Sequence, residues 1–161
     1  MSRAVLVTGA SRGIGRAVAQ AFAALGERVA VHYGTSAEEA DRTVASLAGS
    51  GHVTVQADLA DPEAVRRAVE GAATELAGLD VVVNNAGVYL PHPPTDGSYE
   101  QWQAAWARTL AVNLVGAANT TFCAIPHLAA RGGGAVVNVS SRGAFRGEPT
   151  HPAYGASYLR T

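Results

Sequence analysis

The chain has 161 residues, enough for one domain, and a domain of about that size buries ~70% of its unfolded surface. With 48% hydrophobic and 16% charged residues its composition is that of a globular protein, which excludes a disordered chain. A net charge of −1 excludes the basic surface that nucleic acid or an anionic membrane would call for.

Arg3–Thr8 is an apolar run that reads as a buried parallel strand. A glycine-rich loop follows. Beyond it, Ile14, Val18, Phe22 and Leu25 recur at helical spacing and predict one buried stripe, closed by Gly26 in the usual C-terminal position. Val29–Tyr33 reads as a strand, Glu38–Leu47 as a helix and His52–Gln56 as a third strand. Asp61-Pro62-Glu63 is a strong helix start, with an N-cap carboxylate, proline in the first turn and an acid at the positive end of the dipole. The buried face of that helix is expected at Val65, Val69, Ala72 and Leu76, and Asp80–Asn84 reads as the fourth strand.

Residues 88–98 form a proline- and glycine-bearing loop, and a long helix with Trp102, Trp106, Leu110 and Leu114 along one stripe runs to Arg131-Gly-Gly-Gly134. The tryptophans read as packing or subunit-contact residues, and the lone Cys123 as a buried structural thiol. Ala135–Val139 is the fifth strand, Ser140–Ala153 a loop, and one more helix starts after it. Five alternations of strand and helix without a hairpin signal predict an α/β fold with a doubly wound, Rossmann-like parallel sheet. No apolar run reaches the ~18 residues of a membrane span, and the start Met1-Ser-Arg-Ala lacks a signal-peptide layout, so the cytoplasm is the expected location.

Thr8-Gly-Ala-Ser-Arg-Gly-Ile-Gly15 sits between a strand and a helix, where glycines admit a pyrophosphate to the backbone and the helix N-terminus offers free N–H groups. This makes Gly9, Ser11, Arg12, Gly13, Ile14 and Gly15 candidate cofactor contacts. At the end of the second strand stands His32-Tyr33-Gly34 rather than an acid. A carboxylate there would favour NAD, whereas Arg12 offers a guanidinium to a 2′-phosphate, so NADP(H) is preferred over NAD(H). The alternative is an Arg12 that faces solvent without a phosphate. His92 and His151 read as solvated loop histidines.

The spacing Gly9-x-x-x-Gly13-x-Gly15 resembles the short-chain dehydrogenase/reductase family, and further matches follow in order: Asp58-Leu59, Asn84-Asn-Ala-Gly87, Asn113, Ser141 and, thirteen residues later, Tyr154. The matches span nearly the whole chain. The resemblance implies hydride transfer between nicotinamide and a small carbonyl or alcohol substrate. Tyr154 would then be the general acid or base, Ser141 would bond the substrate oxygen, and Asn113 would hold a relay water. It also implies adenine contacts from Asp58 and Leu59, further cofactor contacts from Asn85, Ala86, Gly87 and Tyr154, and a homo-oligomer for a full-length form. Read alone, Asn113 is also explained as a polar helix residue, and Ser141 and Tyr154 as loop residues.

Two departures qualify this expectation. The family pairs its tyrosine with a lysine four residues on; here position 158 is tyrosine, and all twelve basic residues of the chain are arginines. A free tyrosine titrates near ~10, and lowering that by three units is worth ~4 kcal/mol, which a neutral phenol cannot supply. The usual six strands are also not all visible, so the sheet is expected to be incomplete at its C-terminal edge, with an apolar fifth strand left bare and a lid missing. Tyr158–Thr161 is read as a truncated or frameshifted end. The rival functions are a non-catalytic NADP-binding module and an inactive fragment.

Overall fold

A computed structural model describes residues 2–158. Five parallel strands, β1 (Ala4–Val7), β2 (Arg28–Tyr33), β3 (Val53–Gln56), β4 (Val81–Asn84) and β5 (Ala135–Asn138), form one sheet in the order β3-β2-β1-β4-β5. Val5 pairs with Val29 on one side and Val81 on the other. Every residue of β1 and β4 is buried, because helices cover both faces of the sheet. Val5, Val7, Val29, Val31, Val81 and Val83 face the layer made by α1 (Gly13–Ala24) and α2 (Ala37–Ala45). Leu6, Ala30 and Val82 face the opposite layer, made by α3 (Pro62–Glu75) and α5 (Ala117–Ala130).

The α1 stripe departs from its expected positions. Ile14 is 65% and Leu25 72% exposed, while Gly15, Ala19 and Ala23 are buried and Val18 and Phe22 half-buried. The smallest side chains turn inward because the helix sits very close to the loop after the central strand β1: a Cβ on Gly15 would lie 2.4 Å from the Gly9 carbonyl oxygen. The α3 expectation holds. Asp61 accepts from the Glu63 and Ala64 N–H groups as N-cap, and Val65, Val69, Ala72 and Leu76 are buried.

The long helix has a break in its periodicity. It starts as α4 (Tyr99–Leu110), whose N-terminus carries a Ser98/Gln101 capping box, passes through a π-helical turn (Ala111–Gly116), and continues as α5. The wider turn rotates the buried face, so Leu114 is 47% exposed while Thr109, Val112, Asn113 and Gly116 point inward. Trp102, Trp106 and Leu110 are half-buried. The combined run Tyr99–Ala130 has 32 residues and a most apolar window of mean hydropathy 1.2, long and apolar enough to cross a membrane. Here its buried residues Val112, Ala124 and Leu128 pack into the core shared with α3. Cys123 is half-buried against that core, and burial pushes its thiol up.

β5 is the edge strand of the described sheet. All four of its residues are exposed, Val136 by 36% and Val137 by 47%. The segment read as a loop after it contains one short helix, α6 (Gly143–Arg146), and the expected last helix follows as α7 (Pro152–Ser157).

Candidate dinucleotide site

A cleft of about 470 Å³ opens at the carboxyl ends of the strands, where open α/β sheets bind ligands. Its shape comes from backbone contacts between the loops after β1 and β4. Gly9 (φ +63°) leaves no room for a side chain, since a Cβ there would lie 2.8 Å from the Ala86 Cα. The Asn85 side-chain amide donates to the Thr8 and Gly9 carbonyls at 2.9 and 3.2 Å, and the Thr8 hydroxyl accepts from the Asn85 and Ala86 N–H groups at 2.9 and 3.0 Å. These bonds lock the glycine loop to the Asn-Asn-Ala-Gly turn.

A third brace was not evident from the sequence. His32, 3% exposed at the end of β2, accepts the Gly9 N–H on Nδ1 at 3.0 Å. Its other nitrogen then carries the proton and donates to the Ala57 carbonyl at 3.1 Å. Burial lowers its pKa to about 4, so the ring is neutral and ties β1, β2 and β3 together at the cleft.

Of the expected cofactor residues, Gly9, Ser11, Arg12 and Ile14 line the cleft from the first loop. Asp58 and Leu59 line it after β3, and Asn85, Ala86 and Gly87 after β4. The exposure of Ile14 is thereby explained. Gly13 (φ +57°) and Gly15 do not line the cleft; they permit the turn and the close helix approach that shape it. The cleft has further lining residues with no signal in the sequence, among them Thr35 and Ser36 just after β2 and Arg108 from α4. The Arg108 guanidinium pairs with Asp58 at 2.8 Å and holds that carboxyl below the usual carboxylate range.

Tyr154, the remaining expected cofactor contact, does not line the cleft; it belongs to an aromatic region beyond Gly87 and Val88. Asn113, 5% exposed in the π-turn, accepts the Val88 N–H on Oδ1 at 2.8 Å and donates through Nδ2 to the Val88 carbonyl and the Ser157 hydroxyl. Its side chain is thus fully engaged in pinning the loop after β4 to α7. Tyr154 meets the Tyr89 ring edge-on at 4.6 Å and the Tyr158 ring at 4.9 Å. The Tyr158 phenol reaches over Gly87, where a Cβ would lie 2.6 Å from its Oη. Burial and the neighbouring Tyr154 push its pKa well above the phenol range, so position 158 carries no charge. The Ser141 hydroxyl accepts the Gly143 N–H at 3.2 Å.

His92 corrects an expectation. It is 6% exposed rather than solvated: Nδ1 bonds the Leu90 carbonyl at 2.6 Å and Nε2 accepts the Ala153 N–H at 3.0 Å, which fastens the 88–98 loop to α7. His151 is half-buried, with Tyr89 stacked on its ring at 3.6 Å.

The short chain dehydrogenase family profile matches residues 3–158. The chain belongs to this family. It is 38% identical over 157 residues to the cis-4-hydroxycyclohexanecarboxylate dehydrogenase of Sinomonas cyclohexanicum, covering 96% of this chain and 61% of that one. It is 33% identical over 159 residues to a 3-oxoacyl-[acyl-carrier-protein] reductase of Staphylococcus aureus, covering 98% and 63%. A solved short-chain dehydrogenase of Burkholderia cenocepacia in complex with NADP superposes with a TM-score of 0.85 at 38% identity, covering 98% of this chain and 62% of that one. The chain therefore spans about three fifths of the length of these relatives.

Proposed function

We propose that the chain is the dinucleotide-binding part of an NADP(H)-dependent oxidoreductase acting on a small carbonyl or alcohol. Its own chemistry is limited at position 158. The observation that carries this reading is the cleft itself: a glycine loop braced by Asn85 and His32, with Arg12, Thr35 and Ser36 along its β1–β2 side. The one carboxylate lining it, Asp58, is already paired with Arg108. A 2′-phosphate placed after β2 therefore meets a guanidinium and two hydroxyls, with no acid among the lining residues after that strand. The complex of the Burkholderia relative with NADP agrees with this choice.

Bound NADP(H) supplies the hydride or takes it up. Within this chain, Gly9 and Ser11 offer the phosphate its backbone approach, Gly13 permits the turn, and Gly15 sets the close helix packing that this approach requires. Asp58, Leu59, Asn85, Ala86 and Gly87 form the walls. Tyr154 would exchange a proton with the substrate oxygen, and Ser141 would hydrogen-bond that oxygen. Asn113 holds the loop after β4 in place through both ends of its amide. Because Tyr158 is neutral, nothing charged stands four residues after Tyr154 to favour its ionised form. The oxidoreductase reading is kept over a purely non-catalytic binding module, with slow turnover expected for this reason. For a full-length form we place self-association on the exposed apolar face of α5 at Phe122 and Ile125, and the protein in the cytoplasm.

The test is a titration with NADPH and NADH followed by addition of a carbonyl panel. Tighter NADPH binding with little turnover supports the reading. Equal affinity for both cofactors would remove the assignment of Arg12, Thr35 and Ser36, and rapid turnover would remove the limit at position 158.

A further inference from the structure

We propose that Arg108 is a positioning residue for the adenosine half of the dinucleotide, acting through Asp58; the inference rests on the nucleotide reading above. Arg108 lies on α4, outside the strand–loop–helix units that make the rest of the cleft, yet its side chain lines the cleft. Its Nη1 donates to both Asp58 oxygens, at 2.9 Å to Oδ1 and 2.8 Å to Oδ2. The Ala60 N–H donates to Oδ1 at 3.0 Å. The carboxylate is thus gripped from two elements far apart in sequence and cannot rotate without breaking one of them.

The accounting of acceptors shows what the grip accomplishes. Oδ1 takes two donors and Oδ2 takes one, so Oδ2 keeps an acceptor direction. A ligand reaching this point meets an acceptor whose charge is already met by the guanidinium, so a neutral N–H or O–H donor suits it. The exocyclic amine of a purine has that chemistry. Among the described residues, the remaining guanidinium nitrogens of Arg108 have no protein hydrogen bond, leaving the planar group free to lie against the face of a base. Arg108 and Asp58 are 44% and 50% exposed at their side chains, and ion pairs that exposed contribute little to fold stability. A fold role and a ligand role therefore predict different losses.

Titrations of the full chain with adenosine 2′,5′-bisphosphate and with reduced nicotinamide mononucleotide separate them. Arg108→Ala and Asp58→Asn should each weaken the bisphosphate roughly tenfold, the scale of one hydrogen bond to a charged group. The double variant should add little to either, Arg108→Lys should recover part of the loss, and neither the mononucleotide affinity nor the Tm should change. Bisphosphate affinity within twofold of the parent in Arg108→Ala would overturn the inference. So would equal weakening of both ligands together with a lowered Tm. If the parent chain itself fails to bind the bisphosphate, the nucleotide reading falls first and this inference with it.

Discussion

The cleft beside β1–β3 and the region beyond β4 are built on different principles. Around the glycine loop most contacts join backbone to backbone or to the neutral side chains of Thr8, His32, Thr43 and Asn85, and each polar atom of His32 and the Asn85 amide nitrogen is engaged. Beyond β4, outside the cleft lining, lie the stacked and edge-on rings of Tyr89, His151, Tyr154 and Tyr158. A site that holds a phosphate needs only shape and N–H groups, which this chain has. A site that moves a proton at neutral pH needs a tuned pKa, and the group at 158 is a phenol kept neutral by burial. In the proposed function, binding and proton transfer are therefore separate properties of neighbouring regions.

Exchanging the phenol for an ammonium is the strongest way to erase this contrast. Tyr158→Lys should raise carbonyl turnover by ~100-fold or more, the range that general acid–base catalysis contributes, with NADPH affinity changed far less. Steady-state rates against pH would show it, as a profile whose acid–base limb moves toward neutrality. An unchanged rate would mean that the remaining geometry, not the charge, limits the reaction.

Damage to the binding end should have nearly as large an effect. In Gly15→Ala the new Cβ meets the Gly9 oxygen at 2.4 Å and Asn85 Nδ2 at 2.5 Å, both part of the brace. Overpacking of this kind costs ~1–3 kcal/mol, and NADPH binding should disappear before the fold does. Calorimetric titration beside thermal melting would separate the two losses.

Acid offers a milder way to loosen the same end. His32 is buried neutral with a pKa of about 4, against about 6.5 for an ordinary histidine, so between those values the unfolded chain holds more protons than the folded one. Its contribution is complete above pH 6.5 and is lost as the pH falls toward 4, by about 3 kcal/mol in total. Urea midpoints measured at pH 7 and pH 4.5 should diverge, and His32→Gln should flatten the difference. The smallest effect belongs to Asp61→Ala, which removes the α3 cap and should cost ~1 kcal/mol without touching NADPH affinity.

The same contrast explains what was legible in the sequence. Strands buried on both faces read as unbroken apolar runs, so β1, β2 and β4 were evident, and the Gly9–Gly15 spacing carried its own explanation in backbone geometry. The α1 stripe misled because Ile14 serves the cleft rather than the core, and hydrophobicity alone does not distinguish the two. Leu114 misled because a π-turn breaks the regular helical phase that pattern reading assumes. His32 and His92 gave no local signal: each becomes a brace only when segments distant in sequence come together. Thr35 and Ser36 give no signal either, because small hydroxyls after a strand are common in loops that bind nothing.

The measurement that bears most directly on this division is a single fluorescence titration of the chain with NADPH, followed in the same cell by addition of a carbonyl substrate. The account predicts a saturable signal, displaced by adenosine 2′,5′-bisphosphate, and no appreciable oxidation of the cofactor afterwards. Failure to bind, or oxidation as fast as in Tyr158→Lys, would contradict it.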